Sequence, residues 1–97
     1  MIEHIVLLKF SDETTSLQIR ELISKTKKLK EWIPGILDVQ QGQNFSDRNQ
    51  GYDVGMTIRF EDKQSLKQFG PHPKHQEVQA YCREIGLVDI IVVDFIL

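Results

Sequence analysis

Val88-Asp89-Ile90-Ile91-Val92-Val93-Asp94-Phe95-Ile96-Leu97 ends the sequence, and its reading decides what kind of sheet the rest of the chain must build. In a strand, successive side chains fall on opposite faces. Here both faces are apolar, with Val88, Ile90, Val92 and Ile96 on one and Ile91, Val93, Phe95 and Leu97 on the other. Only Asp89 and Asp94 interrupt them. A strand apolar front and back needs cover on both sides.

The opening stretch Met1–Phe10 repeats the theme, with Ile2, His4, Val6, Leu8 and Phe10 on one side and Glu3, Ile5, Leu7 and Lys9 on the other. Ser11–Ser16 is a polar connection, and Thr15 with Gln18 fits a capping box that opens a helix. Ile19, Leu22, Ile23, Leu29, Trp32 and Ile33 carry that helix to Pro34-Gly35, while Lys25, Lys27, Lys28 and Lys30 mark its solvated face. Ile36–Phe45 reads as a second strand, with Leu37 and Val39 on one side and a break near Gly42. Asn44–Gly51 is a polar hairpin loop. Tyr52–Phe60 alternates as a third strand, one side much wetter than the other. Asp62 caps a short helix bearing Leu66 and Phe69, which Gly70-Pro71 stops. Pro73 then starts a helix with Val78, Cys82 and Ile85 on one face and Gly86 as its C-cap.

The order β-α-β-β-α-β predicts an α+β, ferredoxin-like protomer with a four-stranded antiparallel sheet. Its helices cover one face, so a second copy of the chain is expected on the other, giving a two-fold homodimer.

The 97 residues make one domain, 1–97, and at that size burial against a partner helps. Hydrophobic content of 40% and charged content of 27% place the chain among globular proteins. A net charge of −2 argues against nucleic acid or an anionic membrane as partner. One cysteine, Cys82, on an apolar helix face reads as a small core residue. With no signal-like start and no spanning apolar run, the expected location is the cytoplasm.

Chemistry concentrates in Phe69-Gly70-Pro71-His72-Pro73-Lys74-His75, which holds two of the three histidines. His75 lies three residues before Val78 and should look inward. An inward imidazole is either a general base poised over a cavity or a structural tie, through Asp94 or a backbone carbonyl. His4, among apolar neighbours, is a candidate orienting residue or pocket wall. His72, ahead of a proline, is expected to cap the new helix. Trp32 and Met56 read as core or pocket wall, and Tyr52 as a packed ring with its hydroxyl at the rim. No Cys, Asp or Glu completes a ligand set around the histidines, and no phosphate loop or nucleophile motif occurs, so neither a metal nor a cofactor is expected.

Several of these residues together resemble a known family. His4-Ile5-Val6-Leu7-Leu8-Lys9-Phe10, Pro34-Gly35-Ile36, Gly42, Gly51-Tyr52, His72-Pro73-Lys74-His75 and Val92-Val93-Asp94 are similar, nearly end to end, to the stress-responsive dimeric α/β-barrel domain (Dabb) family. The resemblance implies a protomer that pairs through its sheet into a β-barrel dimer. It implies less about activity, because members include plant stress proteins without a settled catalytic role and a plant polyketide cyclase that works by aldol condensation. In that cyclase the pocket lies between sheet and helices, the histidine matching His75 is the base, and the one matching His4 lines the pocket. Its assisting tyrosine is matched here by Phe69, which has no hydroxyl to donate.

The expected site is therefore an apolar pocket between sheet and helices lined by His4, Val6, Phe69, His75, Ile90 and Val92. The leading expectation is a homodimer that binds a small apolar or aromatic molecule there. The alternatives are a small cofactor-independent enzyme, polyketide cyclase- or lyase-like, with His75 as base, and a structural stress-response protein without catalysis.

Overall fold

Strand β1 (Ile2–Phe10) runs through the interior of the sheet, with Ile2, Val6, Leu8 and Phe10 buried on one side. The computed structural model describes all 97 residues. After β1 come α1 (Ser16–Lys27), α2 (Leu29–Trp32), β2 (Ile36–Gln43), β3 (Val54–Phe60), α3 (Lys63–Phe69), α4 (Pro73–Ile85) and β4 (Leu87–Ile96). The strands form one sheet in the order β2-β3-β1-β4 with every neighbouring pair antiparallel, the expected ferredoxin-like arrangement. No helix is long and apolar enough to cross a membrane.

The helix ends follow the local chemistry of their residues. Thr15 and Gln18 form the reciprocal capping box of α1. Asp62 caps α3 by accepting from the Ser65 N–H at 2.8 Å. His72 caps α4, its Nδ1 accepting from the Lys74 N–H at 3.1 Å, and Pro73 occupies the first helical position. Gly86 ends α4 with φ of +112°. A Cβ at Gly86 would lie 2.7 Å from the Thr14 hydroxyl oxygen, so both space and backbone demand glycine there.

Four sequence expectations are corrected. The first helix is broken at Lys28, which separates α1 from α2. Just before the break the Thr26 hydroxyl donates back to the Leu22 carbonyl, a bond that competes with the helical ladder and bends helices. Trp32 is not core: it is 56% exposed, with the Lys74 ammonium 4.6 Å from its ring centre. The second strand ends at Gln43, continuing through Gly42 and leaving Phe45 100% exposed in the loop. A register shift between Ile36 and Asp38 also breaks the alternation, so Ile36 and Val39 point inward while Leu37 does not.

The core beneath the helices is divided. One buried cluster gathers Ile33, Ile36, Val39, Ile58, Phe60 and Phe69; the other gathers Val6, Leu8, Leu22, Val54, Cys82 and Ile85. Met56 and Val78 touch both. The helices roof β1, β2 and β3 but leave much of β4 uncovered, so Ile90 and Val92 stay 48% exposed even on the roofed side. On the other side of the sheet no element lies over Leu7, Ile91, Val93 and Phe95, and all four are exposed.

Gly35, between α2 and β2, has φ of +90°, and a Cβ there would collide with the Ser65 side chain of α3. Gly35→Ala is expected to cost about 1–3 kcal/mol through strained backbone and steric conflict. Gly42→Ala, with nothing within 4 Å, is expected to be close to neutral. Urea unfolding of the two variants beside the wild type measures the contrast.

Candidate functional site

The seam between the two core clusters opens into a cavity of about 450 Å³ between sheet and helices. Three rungs of the sheet make its floor. Gln41, Met56, Val6 and Val92 stand side by side across β2, β3, β1 and β4 on the middle rung. Ile58 and His4 lie on the rung to one side, with Asp94 beyond them, and Leu8 and Ile90 on the rung to the other. Leu22, Thr26 and Leu29 from the first helical segments, Phe69 from α3, and Val78 and Cys82 from α4 close it from above. Most of the lining is apolar, the usual composition of a site for a small organic molecule.

The structure brings His4, Val6, Phe69, His75, Ile90 and Val92 to the wall of this one cavity. His4 sits there because β1 alternation turns it under the helices, and β4 pairs it directly with Asp94. Its Nδ1 lies 2.5 Å from the Asp94 carboxylate. A carboxylate can only accept, so Nδ1 carries the proton and the ring orientation is locked. His72 stays outside the cavity lining, occupied as a helix cap.

His75 occupies the first turn of α4. Its Nδ1–H donates to the Gly70 carbonyl at 3.0 Å, which leaves Nε2 as the basic nitrogen of the neutral ring. Burial pushes the His75 pKa below its ordinary value of 6.5; the Gly70 carbonyl opposes this, and the nearby His4 and His72 add to it. His75 is therefore neutral at pH 7.

Phe69 lies between the two imidazoles. Its ring centre is 3.9 Å from that of His75, in a tilted stack, and 5.9 Å from that of His4, edge to face. The position between the bases is thus filled by a phenyl ring without a hydroxyl. On the roof, burial pushes the Cys82 thiol up to about 11, so it stays protonated and unreactive at neutral pH. No group of three His, Cys, Asp or Glu side chains is placed to hold a metal ion.

Gln41 was not singled out by the sequence pattern, where Gln40-Gln41 looks like ordinary strand polarity. Both polar atoms of its carboxamide are shut off from solvent and have no hydrogen-bond partner. Such a group costs about 1–3 kcal/mol relative to one that is satisfied. Three other polar side chains on the wall are engaged: Thr26 bonds Leu22, His4 bonds Asp94 and His75 bonds Gly70; Gln79 and Arg83 of α4 also border the cavity. The only advance signal for Gln41 is its place two residues after the inward Val39.

The family model described as Stress responsive A/B Barrel Domain, or Dabb, matches residues 2–97. Olivetolic acid cyclase from Cannabis sativa is 30% identical over 76 residues, covering 76% of this chain and 75% of that protein. A stress-response A/B barrel domain-containing protein from Arabidopsis thaliana is 28% identical over 97 residues, covering 97% of this chain and 87% of its own length. Among solved structures, a dimeric ferredoxin-like protein of unknown function from Thermobifida fusca superposes with a TM-score of 0.86 at 25% identity, covering 99% of this chain and 90% of that one.

Proposed function

The chain belongs to the stress responsive A/B barrel domain family, and from that premise we propose that it is a cytoplasmic homodimer whose cavity binds a small apolar or aromatic molecule. The observation that carries this reading is the cavity itself, about 450 Å³ at the seam of a divided core, apolar over most of its wall and bounded by two fixed imidazoles. An apolar cleft of this size, open along β4 where Ile90 and Val92 are half exposed, is not what close packing alone produces. The dimer rests on the second sheet face. Ile91, Val93 and Phe95 are 40%, 49% and 44% exposed beside Leu7, and burying that remaining half of each against a twin adds about 0.7–1.5 kcal/mol. A surface ion pair adds about 0–1 kcal/mol. The relative from Thermobifida fusca is dimeric, in keeping with this.

A second reading, catalysis, is favoured by one specific feature. His75 is neutral at pH 7, with Nδ1 engaged and Nε2 free to accept a proton. In this reading Nε2 removes a proton from carbon beside a carbonyl, leaving an enolate whose negative charge sits on oxygen, and later returns the proton. The relative that is a cyclase makes such carbon-acid chemistry a reasonable test. Phe69 supplies no hydroxyl to the enolate, so the same condensation is not carried over to this chain.

Three measurements test these readings. Naphthalene, titrated by its fluorescence, is expected to bind one molecule per protomer. Val6→Phe, which fills the middle rung for about 1–3 kcal/mol of overpacking, is expected to abolish that binding while far-UV circular dichroism stays unchanged; equal binding by both proteins would place the site elsewhere. For catalysis, exchange of the acetophenone methyl protons in deuterated water is followed by NMR. The wild type should accelerate it, with a rate that is level above pH 6.5 and falls at lower pH as His75 takes up a proton, because the base must be neutral and its pKa is depressed. His75→Ala should show no acceleration, and a wild type no faster than buffer removes His75 as a base. For the dimer, Ile91→Lys and Val93→Lys should each sediment as monomers; an unaltered sedimentation coefficient excludes this face as the interface.

A further inference from the structure

The middle rung of the cavity floor has a polar end. Gln41 stands at its β2 side and Val92 at its β4 side, with Met56 and Val6 between them. His4 lies two strands from Gln41 and one rung along, so their Cα atoms are about 12 Å apart by standard strand spacings. The imidazoles and Gln41 therefore bracket an apolar floor from opposite sides. Gln41 also holds the only buried side-chain nitrogen and oxygen in the chain that lack a hydrogen-bond partner. Buried polar groups are nearly always paired, so an unpaired carboxamide on a residue of the cavity wall needs an explanation, and a turn of the amide into the cavity would give it a partner there.

We propose that Gln41 reads the far end of the bound molecule. The ligand is then an elongated, largely aromatic compound whose rings lie over Met56 and Val6. At the end remote from His4 and His75 it carries a group presenting a donor and an acceptor side by side, such as a primary carboxamide or a protonated carboxyl. The carboxamide of Gln41 matches such a group with one N–H and one carbonyl oxygen. Its terminal torsion is soft and nearly two-fold, so the amide turns toward the cavity without leaving its rotamer. A glutamine with a purely structural role would be tied to backbone or a neighbour, as Thr26 and His4 are. The proposal rests on the reading of the cavity as a site for an apolar ring.

The test compares naphthalene-2-carboxamide with naphthalene, both titrated by fluorescence against the wild type and Gln41→Met. The wild type should bind the carboxamide about tenfold more tightly, the effect of one well-made hydrogen bond. In Gln41→Met, which keeps length and shape but has no amide, that preference should vanish, with naphthalene bound at least as tightly as by the wild type because the wall is more apolar. The melting temperature should hold or rise, because an unpaired polar group has been removed. Binding of both compounds by the wild type without preference overturns the role of Gln41 and leaves the cavity reading intact. A preference that survives Gln41→Met, or a lowered melting temperature with the preference unchanged, makes the residue structural and overturns the proposal. Failure of the wild type to bind either compound overturns the cavity reading, and this proposal with it.

Discussion

Everything in this fold follows from a sheet that is wider than its roof and apolar on both sides. Four helical segments are enough to bury one face of three strands, and β4 is left at the margin. Its roofed side borders the cavity through Ile90 and Val92, and its other side extends the bare apolar face through Ile91, Val93 and Phe95. The cavity exists because the helices do not press down on this margin, and the core separates into two clusters on either side of it. The same shortage of cover that leaves a void under the helices leaves a surface looking for a twin on the far side.

Within the cavity the polar groups are held by different means. His4 is fixed by a strand neighbour, because antiparallel pairing sets Asp94 directly beside it. His75 is fixed by the helix start, through the carbonyl that Gly70 contributes just ahead of α4. Phe69 stacks on His75 and meets His4 edge to face, while burial holds the His75 pKa below its ordinary value. The arrangement offers a basic nitrogen in an apolar setting and, next to it, a phenyl ring with no hydroxyl to donate.

What could be read in advance was what depends on near neighbours in the chain. The Thr15 and Asp62 caps, the His72 cap over Pro73 and the Gly86 terminus are each set within a few residues, and the two-faced strands show in simple alternation. Trp32 and Phe45 were misplaced because apolar character does not say whether a cover is available; both lie beyond the edge of the packed layers. Leu37 was misplaced because the shift between Ile36 and Asp38 adds a residue that period-two counting does not anticipate. The inward turn of His75 followed from helical spacing, but its partner, Gly70, did not. Gln41 was invisible for a different reason: a void is made by what fails to meet above it, and no local pattern records that.

Asp89 and Asp94 interrupt an otherwise apolar last strand. Because the strand is apolar on both sides, sliding it by one residue would bury almost as much hydrocarbon as the native pairing, and hydrophobic pattern alone would hardly resist the slip. The two aspartates are five apart, so they fall on opposite faces, Asp94 against His4 and Asp89 against the Tyr52 hydroxyl at 2.8 Å. Any one-step misalignment parts both carboxylates from their partners at once. They act as a pair of locating pins, one on each side of the plate, and set the alignment that an evenly greasy strand could not choose for itself.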